Sequence, residues 1–215
     1  MRKSTILILL LSPLLSLSQD DKNHQKQNHK IGIGLKAGVN FANVTNASNI
    51  NASNKAGFMA GAFLAPPSSG VMGYRTEIIF SRQGYDFKTN TKTGSVDLDY
   101  ILLPQLTAIN IGKFAQLQLG AQMAFLINAK ADSTNSQGTN NPYAGVMDYY
   151  NRFDYGAAAG FEIYPFKGLL IGARYNISFG KTYKDPSTYN GMPPSFFPSV
   201  NAKNNVVQLF AGYRF

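Results

Sequence analysis

The chain has no cysteine and no tryptophan, and only two of its 215 residues are histidines. Without cysteine there is no disulfide framework, no thiolate metal site and no lipid-bearing cysteine. His24 and His29 both lie in a polar stretch near the N-terminus. A histidine-based acid–base or triad mechanism in the rest of the chain is therefore excluded. Their spacing in an aperiodic segment does not make a metal site. No phosphate loop or nucleotide fingerprint occurs, so the expectation is a non-enzymatic chain without cofactor or metal. Charge is sparse and lopsided: 20 Lys and Arg stand against 11 Asp and Glu, a formal net charge of +9. No recognition helix or basic-aromatic module accompanies the excess, so nucleic acid is not an expected partner. Long apolar runs are also missing beyond the N-terminus, and none approaches the roughly 20 residues of a spanning helix.

The N-terminus carries Arg2 and Lys3, then an apolar run from Ile6 to Leu17, then small residues at Ser16 and Ser18. That order reads as a secretory signal over residues 1–18, cleaved before Gln19; the run is too short for a membrane anchor. Residues 19–30 are polar and without period, a flexible lead-in expected in the periplasm.

From Ile31 the period becomes two. Ile31, Ile33, Leu35, Ala37, Val39 and Phe41 alternate with Gly32, Gly34, Lys36, Gly38 and Asn40. The same alternation marks seven more segments: Phe58 to Leu64, Tyr74 to Phe80, Val96 to Leu102, Ala115 to Ile127, Phe153 to Ile163, Leu169 to Phe179 and Val207 to Phe215. Strict alternation is the signature of a strand with one apolar face. Short links at Pro66–Gly70, Asn110–Lys113 and Pro165–Gly168 alternate with long ones at Asn43–Lys55, Arg82–Ser95, Ala131–Tyr149 and Lys181–Lys203. Membrane barrels combine short periplasmic turns with longer outer loops. The expected fold is thus all-β, an eight-stranded antiparallel up-and-down transmembrane β-barrel over residues 31–215, with both termini periplasmic in a bacterial outer membrane. Glycine and polar residues share one face and aromatics the other, which suits an outward apolar band around a narrow interior.

In that reading Val96, Leu98, Tyr100 and Leu102 face lipid while Asp97 and Asp99 face the lumen. The lumen is expected to hold Arg75, Glu77, Glu162, Arg174, Arg152 and Asp154, with Lys36 and Arg214. Buried charges must pair, so one reading is an ion-pair network plugging the barrel. The other is a narrow channel or a small-solute or lipid-binding barrel with a charged lumen. Lys88, Lys92, Lys130, Lys181 and Lys184 fall in or beside long links. They are candidates for contact with lipopolysaccharide phosphates in the outer leaflet, or are ordinary solubilising charges. Tyr189, Phe196 and Phe197 in the last long link mark either a partner site or a lid.

Several segments carry a family resemblance: GLKAGVNFANV (Gly34–Val44), GFMAGAFLA (Gly57–Ala65), RTEIIFSRQGYDF (Arg75–Phe87), LDYILLP (Leu98–Pro104), YNRFDYGAAAGFEI (Tyr150–Ile163), GLLIGARYNISFG (Gly168–Gly180) and QLFAGYRF (Gln208–Phe215). Together they resemble the PorT-like outer-membrane β-barrel family of Bacteroidota-type bacteria. The resemblance implies an integral outer-membrane protein with a structural or interaction role through its loops. It also implies association with secretion, through a secretion-system or surface protein partner. The terminal Tyr213 and Phe215 resemble the aromatic signal read by the barrel-assembly machinery.

Overall fold

The computed structural model describes residues 31–45, 51–68, 70–88, 93–133, 146–185 and 203–215. Eight strands follow one another: β1 (Gly32–Thr45), β2 (Asn51–Ala65), β3 (Met72–Lys88), β4 (Thr93–Ile111), β5 (Ala115–Ser133), β6 (Phe153–Phe166), β7 (Leu169–Ser178) and β8 (Lys203–Arg214). Each is antiparallel to the next, and β8 pairs back onto β1 from Gly34↔Arg214 to Thr45↔Lys203. The sheet is therefore a closed barrel in which each strand has a neighbour on both sides, so the ladder satisfies the backbone groups of the wall without a free edge there. A short 3-10 segment at Val146–Tyr149 is the other regular element among the described residues. No described helix is long and apolar enough to cross a membrane.

An even number of strands puts both ends of the barrel sequence at one rim, here called the terminal rim, with the three short turns. Gly112 and Gly168 close two of these turns at φ of 62° and 84°, left-handed conformations that a Cβ disfavours. The opposite rim carries the remaining links and is the loop rim.

The outer wall is apolar. Leu35 is 56% exposed, Leu119 60% and Phe161 52%, and similar residues recur on most of the strands. Large side chains this open over a whole wall are stable only against hydrocarbon. Aromatics ring the band at both rims. Phe125 and Phe153 lie 5.3 Å apart, Tyr155 and Phe179 6.3 Å, and Phe58 and Phe80 5.7 Å toward the loop rim. Tyr213 and Phe215 pair edge-on at 5.5 Å at the terminal rim.

Two sequence expectations are corrected. The links Asn43–Lys55 and Arg82–Ser95 are largely strand: β2 begins at Asn51, β3 runs to Lys88 and β4 starts at Thr93, leaving only residues 46–50 and 89–92 between strands. Polar composition misled there, because strands that continue past the bilayer no longer need an apolar face. The second correction is to the facing of β4. Val96, Leu98, Tyr100 and Leu102 are buried inside the barrel, at 0%, 0%, 3% and 1% exposure, and Asp97 and Asp99 take the opposite, outward parity, Asp99 covered there by Arg82 and Asn128. Register with β3 sets this parity: Arg75 pairs with Leu106, Ile79 with Leu102 and Gln83 with Leu98. Cross-strand partners share a face, so once Arg75 turns inward, the even positions of β4 must follow. Apolar residues occupy both faces of the middle of β4, so its own alternation could not reveal which face meets lipid.

Candidate functional site

The barrel interior holds two different layers. Toward the terminal rim lies a buried charge cluster. Strands β1 and β3 on one side of the lumen and β6 and β7 across it each send inward one or two residues of the polar parity. The Glu77 carboxylate accepts hydrogen bonds from Arg174 Nη1 at 2.6 Å and Nη2 at 3.0 Å. Lys36 Nζ stands 2.6 Å from the same carboxylate and Arg75 Nε 2.9 Å. Arg75 Nη1 donates to Glu162 at 2.6 Å, and Tyr164 donates its hydroxyl to the same carboxylate at 3.0 Å. Arg174 Nη2 also donates to Gln118 at 2.6 Å. Phe63 lies under the Arg75 guanidinium at 3.7 Å, and the Phe210 ring is 4.3 Å from Lys36 Nζ. These rings replace water around cations that are fully enclosed. Gly172 makes the room: a Cβ there would sit 2.7 Å from Phe210 Cζ and 2.8 Å from Glu162 Cγ.

Of the residues expected in this network, Arg75, Glu77, Glu162 and Arg174 are brought together as a single cluster, with Lys36 joined to it. Arg152 and Asp154 are not. Arg152 is exposed ahead of β6, and Asp154 instead bonds Ser178 and accepts from the Gly180 amide at 3.0 Å. Arg152 lies beyond the last ladder pair of β6, so alternation no longer fixes its direction. Phe63 and Phe210 were absent from the expectation. Phe210 could have been found, since it occupies the polar parity of β8 between Gln208 and Gly212.

Toward the loop rim the pattern inverts into a small apolar core. Val96, Leu98, Tyr100, Leu126 and Ala124 line it, with Tyr85 from β3. Two long links fold in over them. Tyr150 and Tyr183 form an antiparallel bridge, backed by Asn151 N donating to Thr182 O at 3.0 Å and Lys184 N to Tyr149 O at 3.0 Å. Their rings lie 5.0 Å apart, and Tyr183 donates to the Tyr85 hydroxyl at 2.7 Å while the Tyr85 and Tyr150 hydroxyls lie 3.1 Å apart. Burial, with the neighbouring phenols, pushes the Tyr150 and Tyr183 hydroxyls well above their ordinary value of 10.0. The sequence had suggested a partner site or a lid at Tyr189, Phe196 and Phe197. Those residues lie outside the described ones, and the described plug is made by Tyr150 and Tyr183.

Outside this core the wall is polar. Arg82 donates to Asp99 through Nε at 2.7 Å and Nη2 at 3.1 Å, Asn128 donates to the same carboxylate at 2.9 Å, and Lys55 pairs with Asp97 at 2.7 Å. Arg82 also covers the Phe58 ring at 5.3 Å, an anchor at the edge of the apolar band. Because Arg82 is 41% exposed and Asp99 keeps Asn128, Arg82→Gln is expected to cost about 1 kcal/mol or less. A thermal midpoint in detergent measures it. Among the candidate lipid-contact lysines, Lys88, Lys130 and Lys181 are exposed, Lys184 is half-buried, and Lys92 lies outside the described residues. Lys181 faces Asp185 at 3.6 Å.

The open space is small and divided. A cavity of about 380 Å³ sits between the turns at the terminal rim, and one of about 90 Å³ runs from it toward Arg75. A further pocket of about 20 Å³ lies on the loop-rim side, lined by Gln83, Tyr100, Gln122 and Asn176. That is close to one water. Among the described residues no cluster of His, Cys, Asp or Glu has the makings of a metal site.

No curated protein matches the sequence. Among solved structures, the chain is similar to Ail, the attachment invasion locus protein of Yersinia pestis, at 14% identity, covering 88% of this chain and 100% of that one with a TM-score of 0.47. It is similar to OprG from Pseudomonas aeruginosa at 13% identity, 89% and 99% coverage and a TM-score of 0.46. For Neisserial surface protein A the values are 13%, 86%, 97% and 0.44. A family model described as outer membrane protein beta-barrel domain matches residues 18–184, most of the chain. With a closed eight-stranded barrel and an apolar outer wall already established, the chain belongs to that family and is an outer-membrane β-barrel protein.

Proposed function

We propose that this protein is a closed, non-enzymatic barrel that acts through its loop rim, as a structural or interaction component of the outer surface. The observation that carries this reading is the double obstruction of the interior. Glu77, Glu162, Arg75, Arg174 and Lys36 fill one layer, and Tyr85, Tyr150 and Tyr183 close the other. An interior filled with paired side chains leaves no hydrated path for a solute. Both termini then sit on the periplasmic side, and the long links face outward. The resemblance to PorT-like barrels supports an association with secretion, through a secretion-system or surface partner held by the loops. Lys88, Lys92, Lys130, Lys181 and Lys184 are proposed to meet the phosphates of lipopolysaccharide, and Tyr213 with Phe215 to be read by the assembly machinery.

Planar-bilayer recording of refolded protein tests the reading. No steady conductance is expected from the wild type. A stable single-channel conductance would instead support the channel alternative and remove this one.

A further inference from the structure

We infer that the cavity at the terminal rim is a binding site for a phosphate-type oxyanion. Its outer part lies between the turns and is lined by Lys113, Lys167 and Arg214, with Phe114 and Phe166 beside them. Its inner part shares Asn110, Gln116, Tyr164 and Arg214 and reaches Arg75. Neither lining contains an aspartate or glutamate. A pocket whose charged lining is cationic throughout has a positive potential that attracts an anion. Arg214, Lys113 and Lys167 form no ion pair among the described residues.

Two further observations point the same way. Arg75 is 2% exposed, yet its Nη2 has no hydrogen-bond partner among the described residues. A buried guanidinium N–H left unmatched is costly, and an oxyanion oxygen at the inner end would satisfy it. The buried cluster behind it also holds one more cation than carboxylates: Lys36, Arg75 and Arg174 against Glu77 and Glu162. Arg75, which lines the inner part of the cavity, is the member of that cluster an anion there would meet. Lys113, Lys167 and Arg214 lie on or beside turns, while Phe114 and Phe166 are 72% and 74% exposed. Cations ringed by exposed aromatics at a membrane rim suit the phosphate of an anionic phospholipid, whose chains would run along the outer wall; free phosphate carries the same chemistry without the chains.

The test uses the full chain refolded in detergent, with Lys113→Gln, Lys167→Gln and Arg214→Gln combined, none of which belongs to the buried cluster. Retention of the folded, heat-modifiable gel band shows that the variant remains a barrel. Native mass spectrometry is run with phosphatidylglycerol and phosphatidylcholine, and phosphorus NMR titration with inorganic phosphate. The expected result is one phosphatidylglycerol retained in preference to phosphatidylcholine, weakened about tenfold or more in the triple variant. Saturable inorganic phosphate binding, lost in the same variant and without lipid preference, supports the site and assigns it to a free oxyanion. Equal retention of both lipids with no phosphate binding overturns the proposal, as does binding that the triple variant leaves unchanged.

Discussion

Glu77→Leu is expected to lower the stability of the refolded barrel by about 3–5 kcal/mol. The carboxylate faces three cations at once, Arg174, Lys36 and Arg75, all within 3.0 Å. Leucine fills a similar volume and removes the carboxylate in direct contact with Arg174 and Lys36, leaving Glu162, which is paired with Arg75. Desolvated cations are then left against one another and against the Phe210 ring. Glu77→Gln keeps the side-chain shape and one acceptor oxygen but loses the charge and turns an amide donor toward the cations, so it is expected to fall between wild type and leucine. The urea midpoint of refolding in detergent, followed by gel mobility, measures both. A leucine variant with the wild-type midpoint would mean that the cluster is hydrated and open rather than enclosed.

Tyr150→Ala is expected to release the loop-rim plug, with a local cost of about 3–5 kcal/mol. Tyr150 is fully buried and stacks on Tyr183, so its removal leaves a cavity where two links meet the barrel wall. Amide exchange at Asn151 and Lys184, whose N–H groups bond across the two links, should accelerate by orders of magnitude while the strands stay protected. Tyr150→Phe, which keeps the ring, should cost about 1 kcal/mol. Alkaline pH supplies an independent readout. Burial holds both phenols protonated past their ordinary value of 10.0. Their contribution is therefore complete below that pH and is lost as pH rises from there toward the folded pKa, because the released state ionises first. The same exchange measurement should show the plug loosening above about pH 10 in the wild type. A Y150F/Y183F double variant should lose that dependence. Wild-type protection at Asn151 and Lys184, taken relative to the base-catalysed exchange of an unstructured amide, that stays constant into strong alkali would contradict the burial of the pair.

Most of the wall was legible in the sequence because lipid is an unforgiving partner. Across the apolar band of β1, β3, β5, β6, β7 and β8 one parity stays free of charge, and a charged residue on the opposite parity has nowhere to go but inward. That argument found Arg75, Glu77, Glu162 and Arg174 without any structure. It failed where the bilayer stops supplying the rule. Beyond the apolar band, β3, β4 and β5 continue with water outside and packed tyrosines inside, so Val96, Leu98 and Tyr100 follow the logic of a soluble core. Arg152 escaped for a related reason: it precedes the first ladder pair of β6, and parity outside a ladder has no meaning. The tyrosine plug was not legible at all. Tyr85, Tyr150 and Tyr183 come from three distant segments, and only the closure of the barrel brings their hydroxyls together.

The central claim is that one parity of each strand meets hydrocarbon and the other meets a filled interior. With no native cysteine, single substitutions can carry a fluorescent label whose surroundings are read directly. The decisive set is Leu35→Cys, Leu119→Cys and Leu209→Cys on the outer wall, Gln118→Cys and Gln208→Cys on the inner, and the neighbours Leu102→Cys and Leu103→Cys on β4, in protein refolded into vesicles containing brominated lipid. Strong quenching is expected at 35, 103, 119 and 209, and little at 102, 118 and 208. Quenching that ignores parity, or that appears at 102 rather than 103, would contradict the account.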